Sequence, residues 1–164
     1  MKAKDLMIPL LEYLSPDHTL KEAGYILRIA RRGEEKTGAK ALPVLDSEDK
    51  LIGILSIGDI LKAVYPKYMY LMELGSFTWD GMVEALAQKM ADRKVSDLMT
   101  KTVITVKEDS PIMECIDHML KYNVKRVPVL NRENRVIGML YERDVFYYIT
   151  EFMSNSKSEV GENE

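Results

Sequence analysis

The stretch PVLDSEDKLIGILSIGDI, residues 43–60, returns as PVLNRENRVIGMLYERDV at residues 128–145, an offset of 85 without a gap. Eight of the 18 positions are identical: proline, valine, leucine, glutamate, isoleucine, glycine, leucine and aspartate. Chance similarity between apolar strands does not also bring back Pro, Gly and Asp in register, so the chain carries an internal duplication. Polar punctuation inside the apolar run is sparse. It consists of Gly53, Ser56 and Asp59 in the first copy and Gly138 and Asp144 in the second, with Tyr141 where the serine stood.

Before this stretch the offset becomes 92: Asp5-Leu6-Met7 falls on Asp97-Leu98-Met99, Asp17 on Asp109 and Glu22 on Glu114. The change of offset places seven extra residues in the first copy beyond Arg31. In the second copy Val103-Ile104-Thr105-Val106 is a β-branched run and predicts a strand. Ser110-Pro111 offers an N-cap and a proline suited to a first helical turn. Ile112, Cys115, Ile116, Met119 and Leu120 then fall at helical spacing and predict one apolar face. Arg126–Leu130 and Val136–Leu140 predict strands joined by the turn-rich Asn131-Arg132-Glu133-Asn134. A last helix is expected from near Glu142 through Val145, Phe146 and Ile149. The first copy matches, with Thr19-Leu20-Lys21-Glu22 as a capping box. The expected fold is therefore α+β, two β-α-β-β-α repeats related by a pseudo-two-fold axis. A repeat of about 55 residues is marginal alone, so the two are expected to share an interface.

These boundaries assign repeat 1 to residues 1–64, a linker to 65–94, repeat 2 to 95–150 and an acidic tail, expected to be disordered, to 151–164. In the linker Met82, Val83, Leu86 and Met90 make an apolar stripe on a helix expected to be capped by Thr78 or Asp80. Tyr65, Tyr68, Met69, Tyr70, Met72, Phe77 and Trp79 crowd before it. Such a stripe covers a core or meets a partner, and the aromatic and Met-rich composition suits an interface. A net charge of −3, with acids and bases interspersed, argues against a general nucleic-acid or membrane-surface binder. The N-terminus has no apolar core of signal-peptide length, and no window approaches the ~18 apolar residues of a membrane span, so the expected location is cytoplasmic. Cys115 is the single cysteine. With His118 and Asp117 nearby it does not make up a tetrahedral metal shell. No Walker A loop, nucleophile elbow or serine–histidine pairing is present, so an enzyme is not expected.

The tandem repeat resembles the CBS-domain pair, often called a Bateman module. Each copy ends in a glycine, two apolar residues, a hydroxyl-bearing residue, two variable residues and an aspartate. Repeat 1 carries that motif whole as Gly53, Ser56 and Asp59, while repeat 2 keeps Gly138 and Asp144 and departs at Tyr141. Asp97-Leu98-Met99-Thr100 and Val127-Pro128-Val129 also look like the family. The resemblance implies a regulatory binding module, which holds an adenosine derivative (AMP, ADP, ATP or S-adenosylmethionine) in clefts between the repeats and signals to a partner protein. It implies ribose binding by Asp59 and Asp144 and phosphate binding by Ser56, and it implies a disc-like homodimer joined through the helices.

The residue chemistry is compatible with those roles. A carboxylate offers two acceptor oxygens to two vicinal hydroxyls. Lys125, Arg126 and Arg143 gather cations suited to phosphate in repeat 2, whereas Lys40, Ala41 and Gly58 stand at their positions in repeat 1. Val103, Ile104, Val124 and Val127 are candidates for the adenine wall, and Tyr141 would stack, hydrogen-bond or block. The alternative is also physical: Ser56-x-x-Asp59 is a capping-box pattern, and capping alone accounts for both residues. A nucleotide-free assembly module remains the competing reading on that ground.

Overall fold

Each copy of the duplicated stretch folds as an antiparallel hairpin running into a helix in the computed structural model, which describes residues 1–31, 38–71 and 78–155. In order, the elements are α1 (Ala3–Leu6), β1 (Ile8–Pro9), α2 (Leu20–Ile29), β2 (Ala41–Leu45), β3 (Leu51–Ser56) and α3 (Ile57–Val64). A 3₁₀ turn (Lys67–Leu71), α4 (Met82–Met90), α5 (Val95–Leu98) and β4 (Val106–Lys107) follow. The chain then forms α6 (Ile112–Lys121), β5 (Arg126–Leu130), β6 (Val136–Tyr141) and α7 (Glu142–Asn155). The fold is mixed α+β and repeats one hairpin-and-helix arrangement twice.

The hairpins are set by their turns. Asp46 Oδ1 accepts the N–H groups of Glu48 and Lys50, both at 2.9 Å, and Asp49 takes a left-handed φ of 60°. Asn131 Oδ1 likewise accepts from Glu133 and Arg135, at 3.0 and 2.9 Å, with Asn134 at φ 61°. An Asp or Asn at this position folds its side chain onto the backbone and fixes a tight reversal. Both hairpins carry the same irregularity, between Val44 and Leu45 and between Val129 and Leu130. Thr19 caps α2 as predicted, accepting the Glu22 N–H at 3.2 Å.

The compact units do not follow the sequence repeats. The terminal unit joins Met1–Leu10 to the chain from Ile104 onward, and the central unit comprises Leu11–Val103. Each repeat therefore sends its leading segment into the other repeat's unit. In the terminal unit β1 pairs antiparallel with β6, Ile8 opposite Met139 and Pro9 opposite Gly138. In the central unit Thr100 and Ile54 exchange both backbone hydrogen bonds, at 2.9 and 3.0 Å. Just before each of these pairings a methionine lies across the motif glycine. A β-carbon on Gly138 would come within 2.6 Å of Met7 Sδ and 2.7 Å of the Ile8 carbonyl oxygen. One on Gly53 would meet the Met99 side chain and the Thr100 carbonyl oxygen. Only glycine lets the leading segment approach this closely.

Backbone bonds anchor the same segments one helix earlier. The Ala3 N–H donates to the Ser110 carbonyl and the Val95 N–H to the His18 carbonyl. Ion pairs repeat the exchange: Lys2 Nζ lies 3.3 Å from Asp109, and Lys94 Nζ lies 3.7 Å from Asp17. The terminal unit adds Lys4 at 3.0 Å and Arg132 at 3.7 Å to the same Asp109 carboxylate. Beneath these anchors the terminal unit buries Ala3, Val106, Cys115, Val127, Val129 and Leu140 in one core. The central unit buries Leu14, Leu20, Ala23, Val44, Leu55 and Val95.

Several expectations need correction. The strand expected over Val103–Val106 pairs only as Val106–Lys107, parallel to β5, because the ladder offers partners to those two residues alone. Pro111, not Ser110, is the N-cap residue of α6. Ser110 is buried and its hydroxyl instead accepts the Lys107 N–H at 3.2 Å. Leu120, expected on the apolar face of α6, is 77% exposed. Helix α4 starts after Gly81, at φ 88°, rather than after Thr78 or Asp80, and Met82 is buried while Val83 is exposed. Helix α7 continues to Asn155 into the segment expected as tail. Met72 and Phe77 of the linker cluster, and tail residues 156–164, lie outside the described residues.

Gly138→Ala and Gly53→Ala should each destabilise the fold by about 1–3 kcal/mol through overpacking, the former more because its backbone obstacle, the Ile8 carbonyl oxygen at 2.7 Å, is nearer than the Thr100 carbonyl oxygen at 3.1 Å. Urea unfolding of both variants measures this. The Asp109 carboxyl is held below its ordinary 3.8, chiefly by the hydrogen bond from Lys4 and then that from Lys2. A lowered folded value means that its stabilisation is present above pH 3.8 and lost as pH falls through the folded value. The melting difference between wild type and Asp109→Asn should therefore be small but measurable at pH 7 and vanish near pH 2.

Candidate functional site

The corner where each hairpin ends and its helix begins gathers most of the candidate residues. In the central unit the Ile57 N–H donates to the Lys40 carbonyl at 2.9 Å, closing β2 against the start of α3, and Ala41 stands opposite Ser56. Ser56 is the N-cap of α3. Its hydroxyl accepts the Asp59 N–H at 3.1 Å, and its own N–H donates to Asp59 Oδ2 at 2.9 Å. This reciprocal pair is the capping box that the spacing predicts. The other carboxylate oxygen, Oδ1, lies 3.5 Å from the Thr100 hydroxyl, supplied by the exchanged segment. Asp59 thus has one oxygen committed to the cap and the other facing a weakly held hydroxyl. The first turn of α3 favours its negative charge.

The terminal unit repeats the backbone and changes the side chains. The Glu142 N–H donates to the Lys125 carbonyl at 2.8 Å, and Arg126 stands opposite Tyr141. Asp144 is half-buried in the first turn of α7, with its Oδ2 shielded from solvent. Ile8, opposite Met139, occupies the position equivalent to Thr100 and carries a hydrocarbon side chain where Thr100 has a hydroxyl. Arg126 is half-buried, and its Nε is a buried donor without a hydrogen-bond partner among the described residues. Arg143 is exposed and folds back along α7, its Nε 2.7 Å from the Tyr147 hydroxyl and its guanidinium over that ring. Lys125 is exposed.

Among the expected adenine contacts, Val127 is fully buried in the core of the terminal unit, and Ile104 and Val124 pack partly buried against that core. Val103 is half-buried and belongs to the central unit. Thr100 is a residue that motif reading did not single out as a contact of Asp59. Its position directly after Asp97-Leu98-Met99, the segment that crosses Gly53, was the available signal. Cys115 is fully buried, and desolvation pushes its thiol up to about 11, so it is not a ready ligand or nucleophile. Among the described residues no group of three or more His, Cys, Asp or Glu is placed to hold a metal ion. Among them, too, no helix is long and apolar enough to cross a membrane.

The CBS domain family profile matches residues 3–66 and 95–151, which take in both hairpin corners and both leading segments. The chain belongs to the CBS-domain family. A curated relative, the inosine-5'-monophosphate dehydrogenase of Methanocaldococcus jannaschii, is 32% identical over 144 residues, 88% of this chain. The chain spans 23% of that enzyme's length. Among solved structures, a CBS domain-containing protein of Bacillus anthracis superposes with a TM-score of 0.69 at 20% identity, covering 92% of this chain and 94% of its own. The structure of CBSX2 in complex with AMP superposes at 0.65 with 23% identity, covering 93% and 98%. Proteins of this pair architecture are regulatory modules.

Ser56→Ala removes the α3 cap and should cost about 1 kcal/mol of stability, the usual value of a lost N-cap hydroxyl, in urea unfolding.

Proposed function

We propose that this chain is a regulatory module that senses an adenine nucleotide (AMP, ADP or ATP) and passes its occupancy to a partner protein, without catalysis of its own. The observation that carries this reading is the duplicated aspartate. Asp59 and Asp144 are both half-buried, and both sit in the first turn of a helix whose start is hydrogen-bonded to the residue before a hairpin strand, Lys40 or Lys125. A carboxylate held in this way presents acceptors to a ribose diol, and the neighbouring cations suit phosphate. The AMP complex of CBSX2 supports the same ligand class. In this reading Ile104, Val124 and Tyr141 contact adenine at the terminal unit's corner with Val127 packed behind them, Lys125, Arg126 and Arg143 meet phosphate there, and Ser56 does so at the central unit's corner. A signal to the partner requires different ligand affinity in two conformations.

The reciprocal Ser56–Asp59 cap favours a second reading, a nucleotide-free assembly module whose aspartates only finish helices. Thermal-shift titration with AMP, ADP, ATP and S-adenosylmethionine separates the two. A ligand that binds the folded state at a hundred times its Kd stabilises it by about 2.7 kcal/mol, so a nucleotide sensor melts several degrees higher with its ligand. No shift with any of the four would leave the assembly reading. A response to S-adenosylmethionine alone would move the ligand to the sulfonium class.

Asp144→Ala should lower nucleotide affinity at its site by about 1.5–3 kcal/mol, the range for hydrogen bonds to a charged group, while the far-ultraviolet dichroism stays unchanged. Calorimetry measures the loss. We also propose a two-fold homodimer through the closing helices, where Leu61 is 65% and Phe146 56% exposed. Sedimentation at micromolar concentration should then give about twice the 18.8 kDa chain mass.

A further inference from the structure

We infer that one cross-strand pair in each hairpin sets which adenosine ligand each aspartate accepts. The terminal unit's site selects phosphorylated adenosine, and the central unit's site accepts adenosine ligands without regard to an anionic 5′ group. This inference rests on the ribose reading of Asp59 and Asp144 given above.

The two corners share one backbone. Ala41 and Ser56 are Cα partners at the open end of the first hairpin, and Arg126 and Tyr141 are Cα partners at the equivalent place in the second. Both corners are closed by the same backbone hydrogen bond, Ile57 to Lys40 at 2.9 Å and Glu142 to Lys125 at 2.8 Å. Residues directly opposite on antiparallel strands project from the same face of the sheet and lie against one another. One site is therefore flanked by a methyl and a hydroxymethyl group, and the other by a guanidinium and a phenol.

Arg126 carries the discrimination. Its Nε is a buried N–H donor with no hydrogen-bond partner among the described residues, and leaving such a donor unpaired is costly. An oxyanion satisfies it, and a guanidinium meets phosphate with a planar, always-charged fork. The other arginine of this corner, Arg143, is exposed with its Nε on Tyr147 at 2.7 Å, so Arg126 is the arginine whose unpartnered donor is buried. At the central corner alanine replaces Arg126 and glycine replaces Arg143. Of the positions of Lys125, Arg126 and Arg143 only the first keeps a cation there, as Lys40, which is exposed, and an exposed lysine holds an anion weakly against water and salt. Ser56 and Thr100 are uncharged hydroxyls that suit a neutral or cationic ligand as well as an anionic one.

Calorimetry with AMP and adenosine as probes tests this on the full chain, using Asp59→Ala to leave the terminal site and Asp144→Ala to leave the central one. The Asp59→Ala protein should bind AMP at least about tenfold more tightly than adenosine, the smallest gain expected from hydrogen bonds to a charged group. The Asp144→Ala protein should bind the two comparably. Adding Arg126→Ala with Tyr141→Ser to Asp59→Ala should bring the AMP-to-adenosine ratio toward one while adenosine still binds. Arg126→Gln in the same background preserves the side chain's bulk and should do the same if the double change unfolds the protein. Adenosine and AMP binding with an unchanged preference in the Arg126→Gln protein would overturn the selectivity and leave the ribose reading standing. If wild type binds neither probe, both fall together.

Discussion

A methionine laid across a glycine holds each unit closed. Met7 reaches Gly138 and Met99 reaches Gly53, and in both places the methionine comes from the other repeat. The contact works because glycine removes the one carbon that would keep the leading segment away, which lets Ile8 or Thr100 pair with the hairpin directly afterwards. The paired bonds, the short helices that precede them and the Lys2–Asp109 and Lys94–Asp17 ion pairs all depend on that approach. The surface ion pairs add little by themselves. Their value here is in fixing the register of a segment whose strand is two residues long.

The same exchange delivers chemistry. In the central unit the residue that follows the methionine, Thr100, arrives beside the motif aspartate Asp59, and Ile8 holds the equivalent strand position in the terminal unit. One side chain on a crossing segment thus decides whether that position offers a hydroxyl or a hydrocarbon. Together with the Ser56-to-Tyr141 and Ala41-to-Arg126 replacements, three positions give two sites of different character on one repeated backbone. Duplication supplied the backbone twice, and the side chains diverged on it.

How much of this was legible in the sequence depended on the range of the interaction. The hairpins were legible because their turns are local: Asp46 and Asn131 fold onto their own backbones, and the duplicated stretch fixed the register. The Ser56–Asp59 cap was legible for the same reason, as one of two readings of a three-residue spacing. Val103–Thr105 carries the β-branched composition of a strand, yet β4 begins only at Val106, because a strand needs a neighbour and the parallel ladder with β5 starts there. The α7 boundary failed differently. Tail-like composition begins only at Ser154, and Phe152 still lies against Tyr148 one turn back. The exchange itself left no local mark. Periodicity says that Met7 and Met99 are equivalent, but not that each sits on the other repeat's glycine. The unpaired Nε of Arg126 was equally invisible, since burial of one atom is a property of packing and not of residue type.

The crossed origin of the two units also governs how the chain can be made. The central unit cannot complete its sheet edge until Thr100 has been synthesised, well after its own hairpin. The terminal unit must wait longer, because its first strand precedes the whole central unit and that strand's partner, β6, follows it, ending at Tyr141. Residues Met1–Leu10 therefore stay without their partner until β6 has been made, and the terminal unit closes a loop that contains the whole central unit. Such long-range closure slows folding and prolongs exposure of apolar surface. Dividing the gene between the repeats would give two fragments, each carrying the leading segment that the other requires.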